Sequence, residues 1–270
     1  MTLRFGLVGC GAMGQVIARH LATRWKGRAR WVGFHDVREE AARNLATALG
    51  KRIPSRGLTE LVSAADWIVE AASPSAVGEI LRLCLGKRKN LLVMSSGGLL
   101  KCPSALQEAS ARGIRVVVPS GAIAGLDAIQ AAALGSIQEA MITTRKSPHA
   151  LAGAPYLQKK GLDLSSITAE TVVFEGNAAE AIEGFPANIN VAATLSLATG
   201  LGPKKTRVKI VADPAATRNT HHVFVRGSSG TIATTVENVP SQTNPKTSAL
   251  AVLAACAAID GIFSSVRIGT

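Results

Sequence analysis

The segment Leu3–Val8, followed by Gly9-Cys10-Gly11-Ala12-Met13-Gly14 and then Gln15-Val16-Ile17-Ala18-Arg19-His20-Leu21, leaves this chain few folds to choose from. A short apolar run, a G-x-G-x-x-G turn and an amphipathic helix, in that order, open a dinucleotide-binding unit. Each glycine has its own task. Gly9 makes the tight turn, Gly11 leaves room for backbone amides to approach a pyrophosphate, and Gly14 lets the helix lie close to the strand. Free N–H groups at the helix start, with the positive end of its dipole, complete an anion site. Gly9, Gly11, Ala12, Met13 and Gly14 are therefore candidate cofactor contacts.

A second apolar run, Ala29–His35, ends in Asp36, about 20 residues past Gly14, where a carboxylate accepts hydrogen bonds from ribose hydroxyls. Arg38 follows two residues later and can meet a 2′-phosphate, so Asp36 favours NAD while Arg38 admits NADP. Strand-like runs at Trp67–Ala72, Leu91–Ser95 and Val116–Pro119 alternate with amphipathic stretches at Ser75–Leu85 and Ser104–Arg112. That alternation predicts a Rossmann-type, doubly wound parallel sheet, an α/β domain over residues 1–124. Ligands of such sheets sit at the carboxyl ends of the strands, which points to the loops Ala72-Ser73-Pro74, Ser95-Ser96-Gly97-Gly98 and Pro119-Ser120-Gly121-Ala122. Ala72 and Ser73 join the cofactor candidates; Ser73 and Ser96 serve equally well as ordinary turn residues.

Composition narrows the class further. Apolar residues make up 47% of the 270 and charged ones 18%, enough for a sizeable core, which excludes a disordered chain or a small disulfide-stapled fold. Aromatics are only 4%, so the core is built from Ala, Val, Leu and Ile, as suits helices stacked on a buried parallel sheet. The net charge of +12 fits nucleic acid, an anionic membrane surface or small anions. The cations are scattered, without zinc-finger spacing, heptads or an RNA-binding aromatic motif, so the expectation is a solvated basic face and no nucleic-acid partner. Cys10, Cys84, Cys102 and Cys256 show no metal-ligand or disulfide spacing, which implies reduced thiols in a cytoplasmic protein and no metal site. Leu7-Val8-Gly9-Cys10 looks like a lipoprotein cleavage box, but only six residues precede it, too few for a signal segment. The longest apolar run, Ala249–Ile259, is too short to cross a bilayer, so no membrane association is expected.

After Asp127 the pattern changes to strand-like runs at Ala140–Thr144, Thr171–Glu175, Val208–Ala212, Val223–Val225 and Thr231–Val236. An Ala/Leu-rich helix over Ala187–Thr199 ends at Gly200 and Gly202. We assign an α+β substrate domain to residues 125–244, with a last helix, Ser248–Phe263 within 245–270, packing back on the dinucleotide domain. Two such halves imply hydride transfer, which needs an acid/base and cationic anchors. Of the five histidines, His20 on the first helix and His35 at a strand end read as structural, and His149 lies in a turn. That leaves Arg218-Asn219-Thr220-His221-His222, a polar cluster opening the strand Val223–Val225, where either histidine can be the proton acceptor or both can form a surface pair.

Several strings then resemble one family in their order along the chain. They are the glycine fingerprint, Pro119-Ser120-Gly121-Ala122-Ile123-Ala124-Gly125-Leu126-Asp127, Thr144-Arg145-Lys146, Phe185-Pro186-Ala187-Asn188-Ile189-Asn190, Asn219-Thr220-His221 and Asn244-Pro245-Lys246-Thr247-Ser248. Together, over nearly the whole chain, they look like L-aspartate dehydrogenase. The resemblance implies oxidation of L-aspartate by NAD or NADP to iminoaspartate, which hydrolyses to oxaloacetate and ammonia or feeds NAD synthesis. It places Ala124 and Asn190 at NAD(P) contacts and makes His221 catalytic, with His222 on the opposite face if the strand has already begun. A dicarboxylic amino acid calls for cationic partners, and Lys146, Arg145, Arg218 and Lys246, on loops of the second half, are candidates together with Asn219. A homo-oligomer, a dimer, is expected. Two rivals are a dihydrodipicolinate-reductase-like imine reductase, in which the His pair precedes Pro-Ser-Gly instead of following it as here, and a non-catalytic dinucleotide-sensing regulator, which needs no acid/base.

Overall fold

Strand β1 (Leu3–Val8) is buried over Phe5–Val8, as a strand at the centre of a parallel sheet has to be. It belongs to a computed structural model that describes residues 2–50, 52–186, 190–240 and 248–269. Helix α1 (Ala12–Arg24) leads to β2 (Ala29–His35), then α2 (Glu39–Ala48), α3 (Leu58–Ala64), β3 (Trp67–Glu70), α4 (Pro74–Lys87), β4 (Asn90–Val93), α5 (Pro103–Ala111) and β5 (Val116–Val117). The five strands pair in the order β2-β1-β3-β4-β5, all parallel. Ser55 forms one more parallel bridge to Phe34 on the outer side of β2. Counting that bridge as a strand reproduces the 3-2-1-4-5-6 order of dinucleotide-binding sheets. The doubly wound α/β expectation holds.

The second sheet forms further along the chain. Helix α6 (Leu126–Ala132) precedes β6 (Ile137–Lys146), α7 (Pro148–Leu151), α8 (Pro155–Lys159), β7 (Thr171–Asn177), α9 (Ala178–Gly184), α10 (Asn190–Thr199), β8 (Arg207–Ala212), β9 (Asn219–Gly227) and β10 (Gly230–Asn238). The order is β10-β9-β6-β8-β7, with β6 and β8 parallel and the other neighbours antiparallel. Helix α10 packs on β6 and α6. The expected start of α10 at Ala187 lies outside the described residues, as does Lys246.

The chain divides into two units, Met1–Pro119 with Ala255–Phe263, and Ser120–Ala254 with Ser264–Thr270. The division falls ahead of the 124/125 boundary drawn from the sequence, because the 120–125 loop is tied to β10. Asn238 Nδ2 donates to Ala122 O at 3.0 Å, and Thr234 Oγ1 donates to Ala124 O at 3.2 Å. Helix α11 (Ala249–Phe263) gives its last turns to the first unit. There Asp260 Oδ1 lies 2.7 Å from His20 Nε2 and accepts the Trp25 indole N–H, while Phe263 stacks on Trp25 with 4.4 Å between ring centroids.

Two strands run further than their apolar runs indicate. β9 starts at Asn219, four residues before the expected Val223, and β6 continues through Lys146. Hydrogen bonding explains both extensions. β9 is paired along its length with β6 on one side and β10 on the other, so its polar first residues have their backbone groups satisfied. Lys146 is thus a strand residue, contrary to its expected place on a loop.

Candidate active site

At the carboxyl ends of β1, β2 and β3 a cavity of about 350 Å³ is lined by Gly9, Gly11, Asp36, Arg38, Ala72 and Ser73, among others. Gly9 has φ +94°, and a Cβ there would stand 2.5 Å from the Ala71 carbonyl group. A Cβ on Gly14 would run into the Gly9 carbonyl oxygen. Among the described residues nothing lies within 4 Å of the Cβ position of Gly11, which leaves that space open for a ligand. Helix α1 has Gly11 at its N-cap, no capping side chain and no acidic residue in its first turn, so Ala12 and Met13 present the uncapped N-terminus of a helix. This is the environment an anionic phosphate needs. Gly14 is buried behind the cavity and acts by letting helix and strand approach.

Asp36 anchors this turn. Its Oδ2 accepts the Cys10 N–H at 2.8 Å and its Oδ1 accepts the Arg38 N–H at 2.9 Å. The Arg38 guanidinium is mostly exposed and stands 4.0 Å from the same carboxylate. The neighbouring wall depends on Glu70, which nothing in the sequence reading singled out. Glu70 is fully buried at the end of β3 and accepts the Ala72 N–H (2.8 Å), the Ser95 N–H (2.9 Å) and the Ser95 hydroxyl (2.8 Å). Burial raises its pKa, against the pull of its donors, to which the Met94 backbone N–H also contributes. One carboxylate thereby joins the loops after β3 and β4. Its sequence signal was an acid closing the apolar run Trp67–Glu70, where a solvent-seeking residue is out of place. Ser73 stands at the N-cap of α4 without a side-chain bond to the helix backbone, its hydroxyl 2.9 Å from that of Ser75, whereas Ser96 is buried in a 3₁₀ turn and is not among the residues lining the cavity.

In the second unit, one face of the sheet changes character along its length. On β6 the buried positions are Ala140, Ile142, Thr144 and Lys146; on β9 they are Asn219, His221, Val223 and Val225. In register, Val236, His221, Thr144 and Ile210 form one row across β10, β9, β6 and β8. Asn238 and Asn219 pair two residues further along, the next row on the same face, at the end where Lys146 pairs with Ala212; Glu237, Thr220 and Arg145 form the row between. The face is therefore apolar at one end and polar at the other. Within the polar end, Thr144 Oγ1 lies 2.9 Å from His221 Nδ1, and His221 is 3% exposed. Burial, and secondarily the nearby Lys146 charge, push the imidazole down to about 3, so the ring is neutral. Lys146 is 4% exposed, and burial lowers its ammonium to about 8. Among the described residues, Asn219 Nδ2 and Asn238 Oδ1 are buried without a hydrogen-bond partner.

The remaining candidates are placed less centrally. His222 faces the other side of β9, with Nδ1 2.9 Å from Thr235 Oγ1. Arg145 is on that side too, 3.5 Å from both Glu170 and Asp213, which removes it from the polar end where the sequence had set it as an anchor. Arg218 is exposed just before β9, Ala124 is exposed, and Asn190 is half-buried at the start of α10.

A parallel sheet of dinucleotide-binding order with an open phosphate cradle, and a second sheet carrying a buried, neutral His beside a buried Lys, define an oxidoreductase that uses a nicotinamide dinucleotide. Residues 9–119 match the homoserine dehydrogenase NAD-binding domain model, and residues 127–262 match the aspartate dehydrogenase C-terminal model. An L-aspartate dehydrogenase of Methanosarcina barkeri is 40% identical over 274 residues, covering 99% of this chain and all of the relative; one from Methanococcus maripaludis (strain C7) is 43% identical over 272 residues with the same coverage. The crystal structure of aspartate dehydrogenase from Thermotoga maritima superposes with TM-score 0.75 at 26% identity, covering 100% of both chains. A homoserine dehydrogenase from Thiobacillus denitrificans shares the fold, with TM-score 0.59 at 14% identity over 96% of this chain and 72% of its own. The chain belongs to the L-aspartate dehydrogenase family.

The two inner glycines separate binding from folding. Gly14→Ala, which drives a methyl group into backbone, should cost about 1–3 kcal/mol of stability. Gly11→Ala should leave the melting temperature unchanged and weaken NAD by about tenfold or more, ~1.4 kcal/mol. Thermal unfolding and a fluorescence titration of NAD read the two effects separately.

Proposed function

We propose that this protein oxidises L-aspartate to iminoaspartate, with NAD the preferred cofactor and NADP accepted. The observation that carries the proposal is the polar end of the second sheet, where a neutral imidazole, a lysine and an amide N–H with no acceptor among the described residues are buried on one face. Relatives at about this level of identity bearing the name L-aspartate dehydrogenase support the choice of substrate.

When bound, the nicotinamide supplies the hydride acceptor. The chain's own residues do the rest. Hydride leaves Cα only when the α-amine is neutral, so the site has to receive an ammonium and hold it as an amine. With His221 donating its Nδ1–H to Thr144 Oγ1, Nε2 is left to accept the hydrogen bond of the substrate nitrogen. The same nitrogen orients the water that adds to the imine, giving oxaloacetate and ammonia; released before that step, the imine is a precursor for pyridine nucleotide synthesis. The Asn219 amide N–H, buried and without an acceptor among the described residues, is suited to a substrate carboxylate, and Arg218 can meet a carboxylate at the rim. Asp36 favours NAD because its carboxylate accepts from ribose hydroxyls and repels a 2′-phosphate, while the exposed Arg38 beside it offsets part of that repulsion.

Incubated with NAD and single amino acids at alkaline pH, the protein should generate reduced cofactor with L-aspartate and little with the others. A different preferred amino acid would reject the substrate assignment. His221→Ala should lower turnover ~10²–10⁴-fold with NAD affinity nearly unchanged. His222→Ala should cost far less, since its ring is bonded to Thr235 on the other face. Asp36→Ala should weaken NAD and spare NADP, read as the ratio of the two KM values.

A further inference from the structure

Lys146 is 4% exposed on the same sheet face as His221, and burial at that depth disfavours its charged form. Lys146 ends β6 one alternation beyond Thr144, and the register sets it at the level of Asn219 on β9. It therefore shares with His221 and Asn219 the end of the sheet that the aspartate reading uses. We propose that Lys146, in its neutral form, is the base that takes the proton from the substrate ammonium, with His221 the hydrogen-bonding partner of the resulting amine. In the step, one N–H bond of the substrate ammonium breaks, its electron pair stays on the substrate nitrogen, and a new N–H bond forms on Lys146 Nζ.

Among the described residues, the charged groups near Lys146 are placed as follows. On β6 itself, Arg145 points to the other face and pairs with Asp213 and Glu170. Asp213, next to the end of β8, gives its backbone N–H to Lys146 O, while its carboxylate goes to Arg145 and the Ala215 N–H. On β9, His221 is neutral at its depth and Arg218 is exposed. On β10, Glu237 is exposed and pairs in register with Thr220, on the side away from His221. Helix α10, packed on β6, carries no titratable residue, and His149 on α7 is exposed. Burial brings the Lys146 ammonium down from 10.5 to about 8, near the pH at which such an oxidation runs, whereas His221 is too weak a base to keep a proton. A base whose pKa lies near working pH is the effective one.

The sign of the pH dependence follows. Below about 8 Lys146 is protonated in the resting enzyme and cannot accept, so aspartate oxidation should rise with pH through that value. Because this role rests on the aspartate reading, the test separates the two. NMR of the ¹³Cε/¹⁵Nζ-lysine-labelled protein without ligands, with Lys146→Arg to assign the signal, should show one lysine titrating near 8. Lys146→Met, which replaces a buried cation by an apolar chain of similar length and should fold, should lower kcat ~10²–10⁴-fold with aspartate KM little changed. Added methylamine should restore part of the rate in proportion to its free-base form, so that rescue grows with pH. Rescue by the ammonium form, falling with pH, or a raised KM with kcat intact, would make Lys146 a carboxylate clamp and overturn the proposal; so would a Lys146 signal titrating with the surface lysines. If the wild-type protein does not oxidise aspartate at all, the substrate reading fails and takes this step with it; active wild type with full kcat in Lys146→Met sinks the lysine step alone.

Discussion

The contact between Thr144 Oγ1 and His221 Nδ1 is closed off from water, and the chemistry of the second unit depends on that closure. An imidazole at this depth cannot keep a charge, because removing an ion from water costs more than a neutral hydroxyl partner returns. In the tautomer this mechanism uses, Nδ1–H is donated to Thr144 Oγ1, the lone pair of the neutral ring is on Nε2, and Nε2 becomes the working nitrogen. The register of the sheet makes this possible. β9 is paired on both sides, so Asn219, Thr220, His221 and His222 alternate strictly, and His221 and His222 have opposite surroundings despite being neighbours in sequence.

The first unit uses carboxylates in a comparable way. Asp36 joins the glycine turn to the start of the segment after β2, and Glu70 joins the loops after β3 and β4. Each replaces the adjustable side-chain contacts of a surface loop by two or three bonds to backbone N–H groups, or to a hydroxyl, with fixed directions. The resulting rim is set by the sheet before any ligand arrives, which limits the ordering cost of binding. Asp36 then has two tasks, recognising the ribose and holding Cys10 in the turn that approaches the phosphates.

The dinucleotide half was legible because its constraints are local. Leu3–Val8 and Ala29–His35 appear as strands with the bounds their apolar runs give, and Gly9 and Gly14 sit where a Cβ would strike backbone. The second half was legible in its strands and less so at its site. Asn219–His222 read as a polar lead-in because periodicity reports burial against apolar neighbours, and here the buried face is itself polar. Lys146 read as a loop residue for the same reason, next to Ser147 and Pro148. Glu70 escaped because its partners are a backbone N–H and a serine 25 residues away, a relation only the paired strands create.

Within this account the second unit holds its histidine neutral before substrate binds. The most direct measurement is the pH dependence of the ¹⁵N imidazole shifts of His221 in the protein without ligands, assigned by His221→Gln. The ring should still give the shifts of a neutral imidazole at about pH 5, where an ordinary histidine, with pKa ~6.5, is almost fully protonated. A midpoint between about pH 6 and 7 would contradict a closed, neutral site and with it the mechanism built on Nε2.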